Sequence, residues 1–164
     1  RENRTEMVTF LDLEQLMADL GQGYRLLLRG HSRTKKFGAD VHLPGVLDVT
    51  SYPNIADLYL ASDALITDYS SVMFDFSVTG RPMMFFVPDI EEYRGELRGV
   101  YFDLEDAAPG PLLHTQPEVV AAVRTIEADV PLYATKYEAW RQRFNAHDDG
   151  HSSERVIDRL LEQR

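Results

Sequence analysis

Apolar positions along this chain switch between two spacings, one typical of helices and one typical of short buried strands. The helical spacing predicts helices at residues 10–20, 55–61, 70–79, 91–97, 117–129, 133–145 and 152–163. The short apolar runs predict strands at residues 24–28, 46–49, 64–67, 83–87 and 100–103. Because strands alternate with helices, we expect an α/β fold, a Rossmann-like doubly wound parallel sheet with helices on both faces.

Two polar segments directly follow predicted strands. One begins at Arg29, contains His31 and runs to Lys36, and the other runs from Asp68 to Ser71. Doubly wound sheets bind ligands outside the carboxyl ends of their strands. These two segments are therefore where the sequence predicts a binding site.

The second segment joins a strand to a helix through a tight polar turn. The first turn of a helix has unpaired N–H groups and a partial positive charge, which suit a phosphate group, and serine hydroxyls add further donors. Asp75 lies one turn after Ser71 on the same helix face, where its carboxylate is able to accept hydrogen bonds from ribose hydroxyls. A structural explanation is equally open: Ser70 or Ser71 caps the helix and Asp68 makes an Asx turn.

Composition narrows the class of protein. The 164 residues suit one domain, and the net charge of −10 opposes broad binding of nucleic acid. A local island of basic residues nevertheless surrounds His31. The absence of cysteine excludes disulfides, zinc thiolate sites and thiol catalysis, and no apolar run approaches the roughly 20 residues needed to span a bilayer.

Several common motifs are missing. There is no Walker loop, no Gly-x-Gly-x-x-Gly and no Gly-x-Ser-x-Gly, which disfavours an NTPase, a dehydrogenase and an α/β-hydrolase. Residues 147–151 contain two His and two Asp, but their loose spacing predicts a turn between helices and not a metal site. An aromatic stripe at helical spacing predicts core packing, at Tyr133, Tyr137, Trp140 and Phe144.

The polar turn also carries a resemblance. Asp75 one turn after the serines, followed five residues later by Gly80-Arg81-Pro82, resembles the donor-nucleotide site of GT-B glycosyltransferases. The fuller string LITDYSSVMFDF at residues 65–76 is similar to the CDP-glycerol glycerophosphotransferase family of teichoic acid polymerases and primases. Further pieces follow in that family's order, and the resemblance covers about residues 24–160: Arg29-Gly30-His31, residues 48–49 and 55–59, Tyr93, residues 98–103 and 109–111, Phe144 and residues 149–156.

The resemblance implies that residues 1–164 are a single nucleotide-donor-binding domain, the C-terminal half of a GT-B fold. The chain opens on Arg1-Glu2-Asn3-Arg4 without an initiator methionine, and we expect it to be part of a longer protein. The resemblance implies that the family's earlier half, which supplies acceptor contacts and a catalytic His, lies outside this sequence. Ser32 replaces the proline that usually follows the family's motif His, a departure that leaves open a different alcohol in the donor.

The resemblance also assigns roles to residues. His31 and Arg98 are the expected catalytic residues, which neutralise charge as a diphosphate leaves. The expected donor-binding residues are Arg29, Thr67, Asp68, Tyr69, Ser70, Ser71 and Asp75. No metal and no cofactor is expected. The alternatives without a catalytic role are that His31 lies in an exposed loop and that Arg98 forms a surface ion pair.

The implied reaction transfers glycerol phosphate from CDP-glycerol to a growing polymer with release of CMP, and CDP-ribitol is a second candidate donor. We expect a phosphotransferase in the longer parent and an inactive fragment in this chain alone. The expected acceptor is a polyol-phosphate polymer or a lipid-linked molecule reached through the missing half, with no nucleic acid partner. The parent is expected in the cytoplasm, held only indirectly at the inner face of the plasma membrane. Alternatives are a sugar-nucleotide glycosyltransferase and a nucleotide-binding module without activity of its own.

Overall fold

The structure is a computed structural model that describes residues 10–30, 43–92 and 102–162. Two parallel sheets contain the strands β1 Leu26–Leu28, β2 Val46–Asp48, β3 Leu65–Thr67, β4 Met83–Phe86 and β5 Leu112–Leu113. The helices are α1 Leu13–Leu20, α2 Ile55–Ala61, α3 Val72–Ser77, α4 Ile90–Glu92, α5 Leu104–Ala107, α6 Gln116–Phe144 and α7 Ser152–Glu162. The predicted α/β fold is confirmed.

Every strand pairing in the described residues is parallel. β1 pairs with β2, and the other sheet has the order β3-β4-β5. Thr67 at the end of β3 lies opposite Phe85 of β4. The polar segment that follows Thr67 therefore leaves the sheet at the carboxyl end of a strand, as the sequence predicted.

Strand β4 lies at the centre of the packing, and all four of its residues are buried. Met83 and Phe85 pack into one core cluster with α3 and Trp140 of α6, whereas Met84 and Phe86 pack into another with α1 and the start of α6. Both faces of the strand are thus covered, which explains an apolar run without polar alternation. Burial of each large side chain contributes about 1.5–3 kcal/mol.

Helix ends follow the expected chemistry at several places. Asp12 caps α1 by accepting a hydrogen bond from the backbone N–H of Gln15 at 3.0 Å. Thr115 and Glu118 form a reciprocal capping box at the start of α6. Gly80 has a φ of +73°, a left-handed conformation that suits glycine at the turn leading from α3 towards β4.

Two predictions about the C-terminal half are wrong. Residues 117–129 and 133–145 were expected as separate helices, but α6 is a single helix that continues through Pro131. The helix face at Pro131 and Glu127 is exposed, so water can satisfy the carbonyl that proline leaves without a donor. The strand predicted at residues 100–103 is also wrong where the structure describes it: the Asp103 side chain accepts from the backbone N–H of Glu105 and caps α5.

Candidate functional site

The turn after β3 is built around Asp68. Its Oδ1 accepts a hydrogen bond of 2.9 Å from the backbone N–H of Ser70, which is the Asx turn that the structural explanation predicted. Thr67 before it is buried, with 4% of its surface exposed. The sequence therefore folds locally into a fixed corner in which Ser71 is exposed to solvent and Ser70 is half-buried.

Ser71 occupies the capping position of α3 without capping it. Its backbone is in the right-handed helical region, with φ −61° and ψ −12°, and its side chain makes no capping hydrogen bond. The hydroxyl of Ser70 accepts only a long contact of 3.5 Å from the backbone N–H of Val72. Ser71 is exposed, so its hydroxyl is able to bind a ligand without loss of a helix cap.

Two further predicted residues are Tyr69, which lies within the turn, and Asp75, which lies in α3. The Tyr69 hydroxyl donates to Oδ1 of Asp89 at 3.2 Å, and its ring packs against the core cluster that contains Phe76. Asp75 is exposed one turn into α3, as the helical spacing predicted. The structure thus orients Tyr69 towards the β4–α4 connection and leaves the Asp75 carboxylate accessible.

Arg29 follows β1 and holds the neighbouring loop. Its Nη1 donates to the backbone carbonyls of Val49, at 3.1 Å, and Tyr52, at 2.8 Å. The backbone N–H of Gly30 donates to Oγ1 of Thr50 at 2.9 Å. The end of β1 is therefore attached firmly to the loop that leads from β2 into α2.

Tyr59 on α2 is a neighbour that the sequence analysis missed as a site residue. Burial raises the pKa of its hydroxyl, the negative charge of Asp75 raises that pKa further, and the positive charge of Arg29 lowers it. Both predicted donor-binding residues are thus close enough to Tyr59 to act on it through their charges. In the sequence, Tyr59 lies among the apolar positions of a helix. That pattern predicts core packing and does not indicate a role in binding.

His31 and Arg98, the two expected catalytic residues, lie outside the described residues. Their roles stay predictions. Arg81 of the Gly80-Arg81-Pro82 motif has a structural role, because its Nη1 donates to the backbone carbonyls of Tyr59, at 3.2 Å, and of Leu60, at 2.8 Å. Arg81 therefore stabilises the C-terminal end of α2, where carbonyls lack helical partners.

An apolar cleft of about 230 Å³ lies elsewhere, between α6 and the segments flanking β4 and β5. Its lining includes Pro82, Ile126 and Tyr133, and Asp129 is its one charged residue among those described. A diphosphate needs cationic or hydrogen-bond donor groups, which this lining hardly offers. The cleft is not the predicted donor site.

The described residues also bear on metals and membranes. Within residues 10–30, 43–92 and 102–162, no three His, Asp or Glu side chains are placed to hold a metal ion together.

In the loop before α7, Asp149 accepts two hydrogen bonds of 2.8 Å from Nη1 of Arg155, so this segment forms the expected turn. No helix in the described part of the chain has the length and apolar character needed to cross a bilayer.

Comparison with known proteins gives a consistent set of matches. Residues 1–162 match the model of the family described as CDP-Glycerol:Poly(glycerophosphate) glycerophosphotransferase. The teichoic acid poly(glycerol phosphate) polymerase of Bacillus subtilis (strain 168) is 42% identical over 152 residues, which are 92% of this chain and 20% of that protein. The teichoic acid glycerol-phosphate transferase of Staphylococcus aureus (strain NCTC 8325 / PS 47) is 38% identical over 161 residues, 98% of this chain and 41% of that one.

Other matches extend the set. The teichoic acid ribitol-phosphate primase of Bacillus spizizenii is 40% identical over 151 residues, 92% of this chain and 38% of that protein. The solved structure of the wall teichoic acid polymerase TagF superposes with a TM-score of 0.78 at 33% identity, over 93% of this chain and 37% of that one. A variant of TagF soaked with CDPG gives a TM-score of 0.78 at 34% identity over the same shares. The chain spans between 20% and 41% of the length of these relatives.

Proposed function

Because this chain belongs to the CDP-glycerol:poly(glycerophosphate) glycerophosphotransferase family, we propose that it is the donor-binding portion of a longer phosphotransferase. The donor is a CDP-linked polyol, and the acceptor is a teichoic-acid-type polymer or another cell-envelope acceptor. The chain alone holds the donor and does not complete the reaction. The soak of the similar TagF variant with CDPG supports this choice of donor.

The observation that carries the proposal is the uncommitted hydroxyl of Ser71 beside the Asx turn of Asp68. A serine that only served the helix would cap it, and this one does not. Ser70 and Ser71 donate hydrogen bonds to the diphosphate oxygens, while Asp75 accepts from the ribose hydroxyls. Thr67, Asp68 and Tyr69 hold the corner in which these contacts are made.

The proposed chemistry is a displacement at the β-phosphate of the donor. A hydroxyl oxygen of the acceptor forms a new bond to that phosphorus, and the bond from phosphorus to the oxygen of departing CMP breaks. The hydroxyl proton goes to a base outside this chain. Arg29, His31 and Arg98 offset negative charge on the diphosphate and on CMP, and catalysis is mainly positioning with electrostatic stabilisation.

The acceptor determines where in the cell the parent protein works. A lipid-linked polymer under construction lies at the inner face of the plasma membrane, so the parent works there from the cytoplasmic side. Contact with the membrane is indirect and is made through the acceptor, which the remainder of the parent binds.

CDP-ribitol is the second candidate donor. The observation that favours it is the 40% identity to a teichoic acid ribitol-phosphate primase. The two donors share the cytidine diphosphate that the turn binds. They differ only in the polyol, so the contacts of Ser71 and Asp75 are the same for both.

Calorimetric titration of the full chain with CDP-glycerol, CDP-ribitol, CMP and UDP-glucose tests the proposal. We expect binding of the three cytidine nucleotides and little binding of UDP-glucose. Ser71→Ala and His31→Ala are each expected to weaken CDP-glycerol binding about tenfold, the loss of one hydrogen bond to a charged group.

Two results would contradict the proposal in different ways. Binding confined to UDP-glucose would assign the chain to the sugar-nucleotide glycosyltransferases. Undiminished CDP-glycerol affinity in both variants would leave the donor class standing and overturn the site.

A further inference from the structure

The hydroxyl of Tyr59 is buried without a hydrogen-bond partner among the described residues. It is the one such side-chain atom found in that part of the chain. Buried polar groups almost always find partners, because a hydroxyl removed from water without one is unfavourable. An exception of this kind calls for a physical explanation.

Packing holds the side chain of Tyr59 in the position where its hydroxyl is buried. The ring of Tyr59 meets the ring of Phe76 edge to face, with centroids 5.7 Å apart. Its backbone carbonyl accepts a hydrogen bond of 3.2 Å from Nη1 of Arg81, which fixes the end of α2. The ring and the backbone of Tyr59 are therefore both held in place.

A phenylalanine would fill the same apolar space without an unpaired hydroxyl. Tyr59 packs against the core cluster of α3 and α6, and its contacts there are made by the ring. Core packing therefore explains the ring and leaves the oxygen unexplained. A hydrogen bond that forms in another state of the site would explain the oxygen.

The residues around Tyr59 indicate which partner its hydroxyl would bind in that state. Phe76, the ring partner of Tyr59, is the next residue after Asp75 on α3. The charges of Asp75 and Arg29 both influence the hydroxyl, which as a neutral phenol is able to donate a hydrogen bond. The nearby group of matching chemistry is the carboxylate of Asp75, which only accepts hydrogen bonds.

We propose that Tyr59 is a positioning residue of the donor site, whose hydroxyl donates a hydrogen bond to the Asp75 carboxylate when a nucleotide is bound. That bond fixes the carboxylate so that its free oxygen accepts from the ribose hydroxyls. The inference rests on the proposed function, since it requires a nucleotide at this site.

Tyr59→Phe in the full chain is the direct test, with CMP and 2′,3′-dideoxycytidine monophosphate as probes. The second probe lacks both ribose hydroxyls, so it cannot use Asp75. We expect Tyr59→Phe to bind CMP about tenfold more weakly than the unmodified chain, the loss of one hydrogen bond to a charged group. Both proteins are expected to bind the dideoxy nucleotide equally.

Tyr137→Phe is the matched control, because the Tyr137 hydroxyl already donates to the backbone carbonyl of Arg81 at 2.7 Å. Its removal is expected to lower the free energy of unfolding and to leave CMP affinity unchanged. Tyr59→Phe is expected to show the reverse pattern, with no loss of stability and a loss of affinity.

The outcomes separate this inference from the proposed function. Equal CMP affinity in Tyr59→Phe and the unmodified chain would overturn the role of Tyr59 and leave donor binding intact. An equal loss for CMP and the dideoxy nucleotide would also overturn it, because the ring alone would then matter. If the unmodified chain bound neither CMP nor CDP-glycerol, the proposed function would fail and this inference with it.

A measurement without any variant gives an independent check. The phenolic proton of Tyr59 should exchange more slowly with water once CMP is bound, because it is then in a hydrogen bond. An unchanged exchange rate in the bound protein would contradict the inference.

Discussion

The indole nitrogen of Trp140 on α6 donates a hydrogen bond of 3.2 Å to the hydroxyl of Ser77 on α3, and both side chains are buried. Oγ of Ser77 also lies 2.6 Å from Oδ1 of Asn145, whose amide nitrogen donates to the backbone carbonyl of Phe74 at 3.0 Å. The end of α3 is thus attached to a helix 63 residues further along the chain. The proposed donor site lies at the opposite end of the same short helix.

Ser77→Ala tests that attachment. The change leaves the Trp140 N–H without its acceptor in the core, so we expect a loss of about 1–3 kcal/mol in the free energy of unfolding. Urea denaturation followed by tryptophan fluorescence measures it. A loss below about 0.5 kcal/mol would mean that the contact does not stabilise α3.

Ser71→Ala is the same substitution at the other end of α3 and should behave differently. Ser71 makes no capping hydrogen bond, so we expect stability to change by less than about 0.5 kcal/mol. Affinity for CDP-glycerol should fall about tenfold in this variant and stay unchanged, per folded molecule, in Ser77→Ala. A Ser71→Ala protein as unstable as Ser77→Ala would show that the hydroxyl serves the helix.

Gly110→Ala tests the close approach of the backbone before β5 to β4. A Cβ at Gly110 would lie 1.8 Å from the backbone carbonyl oxygen of Met83, so the strands must separate. We expect a loss of about 1–3 kcal/mol or more, as overpacking of a core causes. Gly23→Ala is the control, because a Cβ at Gly23 meets nothing within 4 Å. Equal thermal unfolding midpoints in the two variants would contradict this account of the strand contact.

Alkaline pH tests the burial of Tyr137. Burial raises the pKa of Tyr137 to about 12, against 10.0 for an ordinary tyrosine. The neutral phenol therefore contributes stability that is fully present below pH 10 and is lost as the pH rises through 12. Urea unfolding at intervals from pH 9 to 12 should show that the free energy of unfolding of the unmodified chain falls relative to that of Tyr137→Phe in this window. Parallel pH profiles for the two proteins would contradict the assignment.

Sequence patterns predicted much of the fold because the strongest signals are local. The four residues of β4 are all apolar, and the polar turn at Asp68 follows a strand, so both could be placed from spacing alone. The helix break expected near Pro131 failed because an exposed helix face tolerates a missing hydrogen bond. Asp103 was placed in a strand although its side chain caps a helix, since a short apolar run does not reveal the turn that follows it.

The same division between local and long-range signals applies to the candidate site. Ser71 and Asp75 could be paired as candidates from the sequence because a helix puts residues four apart on one face, and both are exposed in the structure. The unpaired hydroxyl of Tyr59 could not be found this way, because it depends on what the folded chain places around one atom. Nor could the sequence reveal that Arg29 and Arg81 use their guanidinium groups on backbone carbonyls of neighbouring loops.

The proposed function requires that the turn from Thr67 to Ser71 binds the donor diphosphate. The most direct measurement is a titration of the isotopically labelled chain with CDP-glycerol, followed through the backbone amide resonances. We predict that the largest shifts occur at residues 67–71, with further shifts at Asp75 and little change at the apolar cleft beside Ile126. Shifts centred on that cleft, or no shift at residues 67–71 at saturating CDP-glycerol, would contradict the account.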